Sequence, residues 1–190
     1  NTFVGYYAGA GLTDGDENTM IGATAGQHLQ AGDGNTFIGN GAGSVGGLED
    51  YAYNTAVGYE AMYNGAKTSA TTNNVAVGRA ALYANTTAAN NTAVGAYSLD
   101  ANTTGTNNVA VGYSACGAST TTHSNTGIGY QALLLNTGSN NTAVGSDVLD
   151  ACTTGNYNTG VGSQALTASS TGAQNTAVGN SALTAASTAH

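Results

Sequence analysis

About every seventeen residues the chain repeats one short run: an amide, a β-branched residue, a variable residue, an aliphatic and a glycine. The run Asn-(Thr/Val)-x-(Val/Ile)-Gly begins at Asn1, Asn18, Asn35, Asn54, Asn74, Asn91, Asn108, Asn125, Asn141, Asn158 and Asn175, mostly 17 residues apart and at the extremes 16 and 20. Most copies continue with two variable residues, an Ala, and a Leu or Met, as in Ala81-Leu82 and Ala165-Leu166. Counting the Asn as position 0, strand geometry alternates side chains between two faces. Positions 1 and 3 therefore share one face and position 2 takes the other. Val replaces Thr at position 1 in Val75 and Val109, on the face of the aliphatic, which predicts that this face turns inward. The expected core ladder is Val57, Val77, Val94, Val111, Ile128, Val144, Val161 and Val178. Ala and Leu at positions 7 and 8 supply a second arm closing the same core.

A period this short holds two short strands and their turns, one coil of a narrow solenoid. The reading is all-β: a parallel β-solenoid or β-roll of eleven coils. Ten intervals at ~4.8 Å per rung give a rod of about 50 Å. Helices are disfavoured by the abundance of Thr, Asn, Gly and Val. The Gly at position 4 predicts a turn. The Asn at position 0 predicts an amide ladder through Asn54, Asn74, Asn91, Asn108, Asn125, Asn141, Asn158 and Asn175, each bonding the copies above and below.

Residues 1–53 form a divergent, acidic part of a single repeat domain, and 54–190 its regular part. In the first three copies position 2 is bulky (Phe3, Met20, Phe37) and position 8 is Gly (Gly9, Gly26, Gly43). Afterwards position 2 is only Ala or Gly: Ala56, Ala76, Ala93, Ala110, Gly127, Ala143, Gly160 and Ala177. On a face read as pointing away from the monomer core, such restriction predicts a close neighbouring backbone. This column is the expected subunit interface of a homotrimer. Insertions around Glu49, Asp50 and Lys67 lengthen two coils. The chain opens inside a motif, as a piece of a longer fibre would.

Charged residues make up 6% of the chain, against an ordinary ~25%. Lys67 and Arg79 are the only strong bases and the net charge is −8, which excludes binding to nucleic-acid phosphates. No apolar run is long enough to cross a bilayer as a helix. Cys116 and Cys152 fall at different motif positions, two coils apart, and are expected free and buried.

Candidate chemistry is sparse. Asp16 and Asp33 stand two residues before successive motif Asn residues with Asp14 nearby, a weak Ca²⁺ candidate set against the simpler reading of solvated turn acids. Gly41, Gly43 and Gly46 match G-x-G-x-x-G without the strand and helix that a dinucleotide site requires. His28, His123 and His190 share no motif position. Asp100 and Asp150 sit three coils apart, too far to flank one glycosidic bond. Tyr59, Tyr113 and Tyr130 follow the motif Gly and line up as either a packed ladder or a contact for sugar rings; Asn85 and Asn102 begin glycosylation sequons. No enzyme and no cofactor is read from these residues.

The N-T-A-V-G-x-x-A-L repeat, most regular from Asn54 to Leu183, resembles repeats of bacteriophage tail-fibre proteins. It is more loosely similar to the β-roll head repeats of trimeric autotransporter adhesins. The resemblance implies a homotrimeric, extracellular or virion-borne shaft that supports attachment; the aligned Tyr residues add a cell-surface glycan as a further candidate partner. Two alternatives stand beside it: a self-assembling extracellular filament, and an ice-binding solenoid carrying a Thr ladder. The inward reading of position 1 and the single Thr rank per coil both count against the second.

Overall fold

In the computed structural model, residues 1–44, 51–63, 71–167 and 171–184 are described. The strands are β1 (Thr2–Val4), β2 (Thr19–Ile21), β3 (Thr36–Ile38), β4 (Tyr51–Ala52), β5 (Thr55–Val57), β6 (Thr71–Thr72), β7 (Val75–Val77), β8 (Thr92–Val94), β9 (Val109–Val111), β10 (Thr126–Ile128), β11 (Thr142–Val144), β12 (Thr159–Val161) and β13 (Thr176–Val178). Every motif contributes one three-residue strand. These pair in parallel into a single eleven-stranded sheet, while β4 and β6 form a small second sheet. Register is motif on motif throughout, for example Thr92 beside Val109, Ala93 beside Ala110 and Val94 beside Val111. The chain is an all-β parallel solenoid. The insertions around Glu49, Asp50 and Lys67, together with Gly46 and His190, lie outside the described residues.

Backbone bonds fasten the two ends of each rung. The N–H at position 1 donates to the carbonyl of the next motif Asn, as from Thr92 to Asn108 at 2.8 Å. The Gly N–H at position 4 donates to the backbone carbonyl of the position-3 residue in the coil before, as from Gly112 to Val94 at 2.7 Å. Glycine is required at position 4 for two reasons. Its φ lies between +120° and +141° throughout the array, a region closed to other residues. A Cβ on Gly95 would also sit 2.4 Å from the carbonyl oxygen of Gly112.

The turns after the Gly are built from left-handed residues, at positions 6 and 8 and again just before the Asn. Tyr97, Leu99 and Asn107 are examples, with φ of 59°, 48° and 60°. Asn tolerates this region better than most residues, which accounts for Asn73, Asn90, Asn107 and Asn140 before the motif.

The two faces of the strand are the reverse of the sequence expectation. Position 2 points inward: Ala56, Ala76, Ala93, Ala110 and Ala143 are fully buried, and Ala177 nearly so. They pack against the Ala and Leu of the second arm in one continuous core that includes Leu82, Leu99, Cys116, Leu133, Leu149 and Leu166. The expected core ladder faces outward. Val57, Val77, Val94, Val111, Val144 and Val161 are half-buried, while Ile128 is 38% and Val178 is 71% exposed. Position 2 is therefore not a subunit interface.

Crowding inside the coil causes the restriction to small residues. A Cβ added to Gly127 would lie 2.7 Å from Cys116 Sγ, and one on Gly160 would lie 2.6 Å from Val148 Cγ1. The aliphatics at position 3 reflect strand preference and stacking on a half-exposed face. At position 1 of the same face Val and Thr interchange because they have the same shape.

The divergent coils follow the same volume rule. Met20 and Phe37 are fully buried at position 2, and each fills the space a side chain at position 8 would take. A Cβ on Gly26 would lie 2.3 Å from Met20 Sδ, and one on Gly43 would lie 2.5 Å from Phe37 Cδ2. Large-plus-glycine thus replaces small-plus-leucine in the same interior.

Candidate functional site

The motif Asn residues run as a buried column beside the sheet. Asn108 donates its backbone N–H to Asn91 Oδ1 at 2.9 Å and its Nδ2 to the same oxygen at 3.1 Å. Its second amide proton goes to the Thr122 carbonyl of the next coil at 2.8 Å. The bond from backbone N–H to the preceding amide oxygen repeats from Asn18 to Asn175. Asp lacks the amide protons, and Gly has neither group.

A second buried polar column escaped sequence reasoning. Position 11 carries Asn85, Asn102, Ser119, Asn136 and Cys152, all fully buried. The Asn amides close the loop that follows, as where Gly105 N–H donates to Asn102 Oδ1 at 3.1 Å. Its residue types vary, so no fixed motif marks it. Burial of Asn85 and Asn102 removes both sequons from the surface of the folded chain.

Tyr side chains form a surface column across successive coils. Tyr113 and Tyr130 stack at 5.7 Å between ring centroids, and Tyr97 meets Tyr113 edge-on at 5.8 Å. The Arg79 guanidinium lies 6.0 Å from the Tyr59 ring and 5.3 Å from the Tyr97 ring. The stack of Tyr113 on Tyr130 covers one face of each ring, and both side chains remain about half exposed.

The acids do not assemble. Asp33 Oδ1 accepts the backbone N–H of Asp16 at 2.8 Å, tying one coil to the next. Asp14 and Asp33 border an open groove of about 360 Å³. Among the described residues no group of three or more His, Cys, Asp or Glu could hold a metal ion, so Asp14, Asp16 and Asp33 are not brought together as a ligand set. Asp100 and Asp150 are both held above the ordinary carboxylate range by desolvation, opposed by backbone hydrogen bonds. His123 Nδ1 accepts the backbone N–H of Thr106 at 3.0 Å, a contact between loops. Cys116 and Cys152 are free and buried, and burial pushes the Cys116 thiol up to about 12. No described helix is long and apolar enough to cross a membrane.

The chain matches no family model, no curated protein and no solved structure. What distinguishes its surface is geometric: one uncharged sheet face of eleven equivalent rungs, flanked by an aromatic column.

Proposed function

We propose that this chain is a rigid structural segment of an extracellular or virion-borne fibre, of the tail-fibre kind its repeat resembles. It holds an attachment function away from the surface that carries it. The observation supporting this reading is the unbroken eleven-strand ladder, in which every coil is fastened to the next by backbone and Asn amide bonds. Such a ladder resists bending along the axis of the coil. Copies of the chain assemble as a homotrimer or an end-to-end filament, through surfaces other than position 2. A cell-surface glycan is the further partner, met by the Tyr hydroxyls and Arg79.

Small-angle scattering of the soluble chain tests the rod: the expected particle is elongated, about 50 Å along its axis. A particle whose mass is that of a single chain and whose shape is near-spherical would remove the reading. Light scattering tests assembly, for which the expected mass is a multiple of the 18.5 kDa chain.

A further inference from the structure

The outward face of the sheet carries a column of Thr at position 1, interrupted only by Val75 and Val109. None of these hydroxyls hydrogen-bonds to a described residue. Thr on the loop side behaves differently. Thr86 Oγ1 donates to the Thr103 carbonyl at 2.9 Å, and Thr103 Oγ1 to the Thr120 carbonyl at 3.0 Å. The loop hydroxyls serve the fold, whereas the face hydroxyls are left for whatever lies outside.

Beside the Thr column runs the Val and Ile column of position 3, and no charged residue occupies either position in any copy. Both side-chain types are β-branched and stiff at χ1. Their backbones are locked by ladder bonds that scarcely vary, with position-1 N–H to Asn carbonyl distances of 2.8–2.9 Å from β1 to β12. The face is therefore a fixed grid of hydroxyls and methyls. Its rungs repeat at ~4.8 Å and its two columns stand roughly 6.6 Å apart along the strand.

Such a grid suits few partners. A soluble small ligand needs a concavity, and the open grooves bordered by Asp14 lie off this face. A second apolar protein face would strip water from the whole row of Thr hydroxyls and leave them unpaired, at a cost for each. An extended solid with its own repeating hydroxyl lattice needs neither concavity nor charge. We propose that the T-x-V face binds ice, its Thr hydroxyls joining the oxygen lattice and its methyls seating against the ordered water between. The outward turn of position 1 removes the objection that an inward Thr raised.

The test uses the whole chain with ice as the probe, by ice-affinity partition and by thermal hysteresis on single crystals. The expected result is enrichment in the ice fraction and arrest of crystal growth, both lost in Thr126→Lys and Thr142→Lys. Ser163→Lys, exposed and off the face, is expected to leave both unchanged. Circular dichroism of each variant establishes that the coil persists. The proposal is overturned if the chain stays in the liquid, or if enrichment survives both face variants. It is also overturned if light scattering gives a multiple of 18.5 kDa that Thr126→Lys reduces to a single chain, because the face is then a seam between copies.

Discussion

The interior volume rule predicts a specific exchange at coil six, where Ala93 and Leu99 are both fully buried. In coils two and three the same two positions hold Met20 with Gly26 and Phe37 with Gly43. Leu99→Gly alone empties a buried leucine site, which costs about 2–5 kcal/mol for truncation to Ala. Relief of the left-handed φ of 48° at this residue returns about 1–2 kcal/mol. The expected net cost is about 2–3 kcal/mol. Ala93→Phe alone forces a ring into filled space and is expected to cost about 3 kcal/mol, the upper end for overpacking. Made together, the two changes nearly conserve volume, and the pair should cost under about 1.5 kcal/mol. The coupling is then about 4 kcal/mol, larger than the ~0.5–3 kcal/mol usual for touching residues. Urea denaturation followed by far-ultraviolet dichroism measures all four corners of the cycle, compared at unchanged m-value. Additive costs would refute the shared-space argument. A neutral Ala93→Phe would refute the inward orientation of position 2 itself.

Orientation also separates Ala110→Lys, which buries an unpaired ammonium and should abolish the cooperative fold, from Val111→Thr, which should shift the midpoint by no more than about 0.5 kcal/mol; thermal melts compare them. Asn108→Asp removes two amide donors inside the buried column and should cost about 1–3 kcal/mol at neutral pH, read from the urea midpoint. Asp150, raised by desolvation, stays protonated in the folded chain at a pH where the unfolded chain has already ionised. Its contribution to stability is present at acid pH and is lost as pH rises past the ordinary carboxylate value. Asp150→Asn should therefore gain stability at pH 7 relative to the parent and not at pH 3, and melts at the two pH values check it. Iodoacetamide should leave Cys116 unmodified in the native chain and alkylate it once urea unfolds the coil, read by mass spectrometry.

The repeat itself carried the fold. Eleven motifs of nearly constant spacing, with Gly where the backbone takes φ near +135° and Asn where an amide must both donate and accept, leave few arrangements other than stacked parallel coils. Those residue choices are local chemistry, and local chemistry is legible in one chain. Which face of the strand lies inside is a different matter. Alternation along Thr55-Ala56-Val57 separates two faces but does not orient them, and hydrophobicity favours the wrong one, because Val is more apolar than Ala. What orients them is the width of the coil, fixed by the second arm: Leu99 and its equivalents occupy the interior, and only Ala or Gly fits opposite. Both halves of that bargain were visible in Phe37 and Gly43, yet their complementarity exists only once positions 2 and 8 are brought within contact across the turn. The Thr column followed the same inversion. Its outward hydroxyls are a consequence of packing on the opposite side of the strand, so they could be placed only by the tertiary structure.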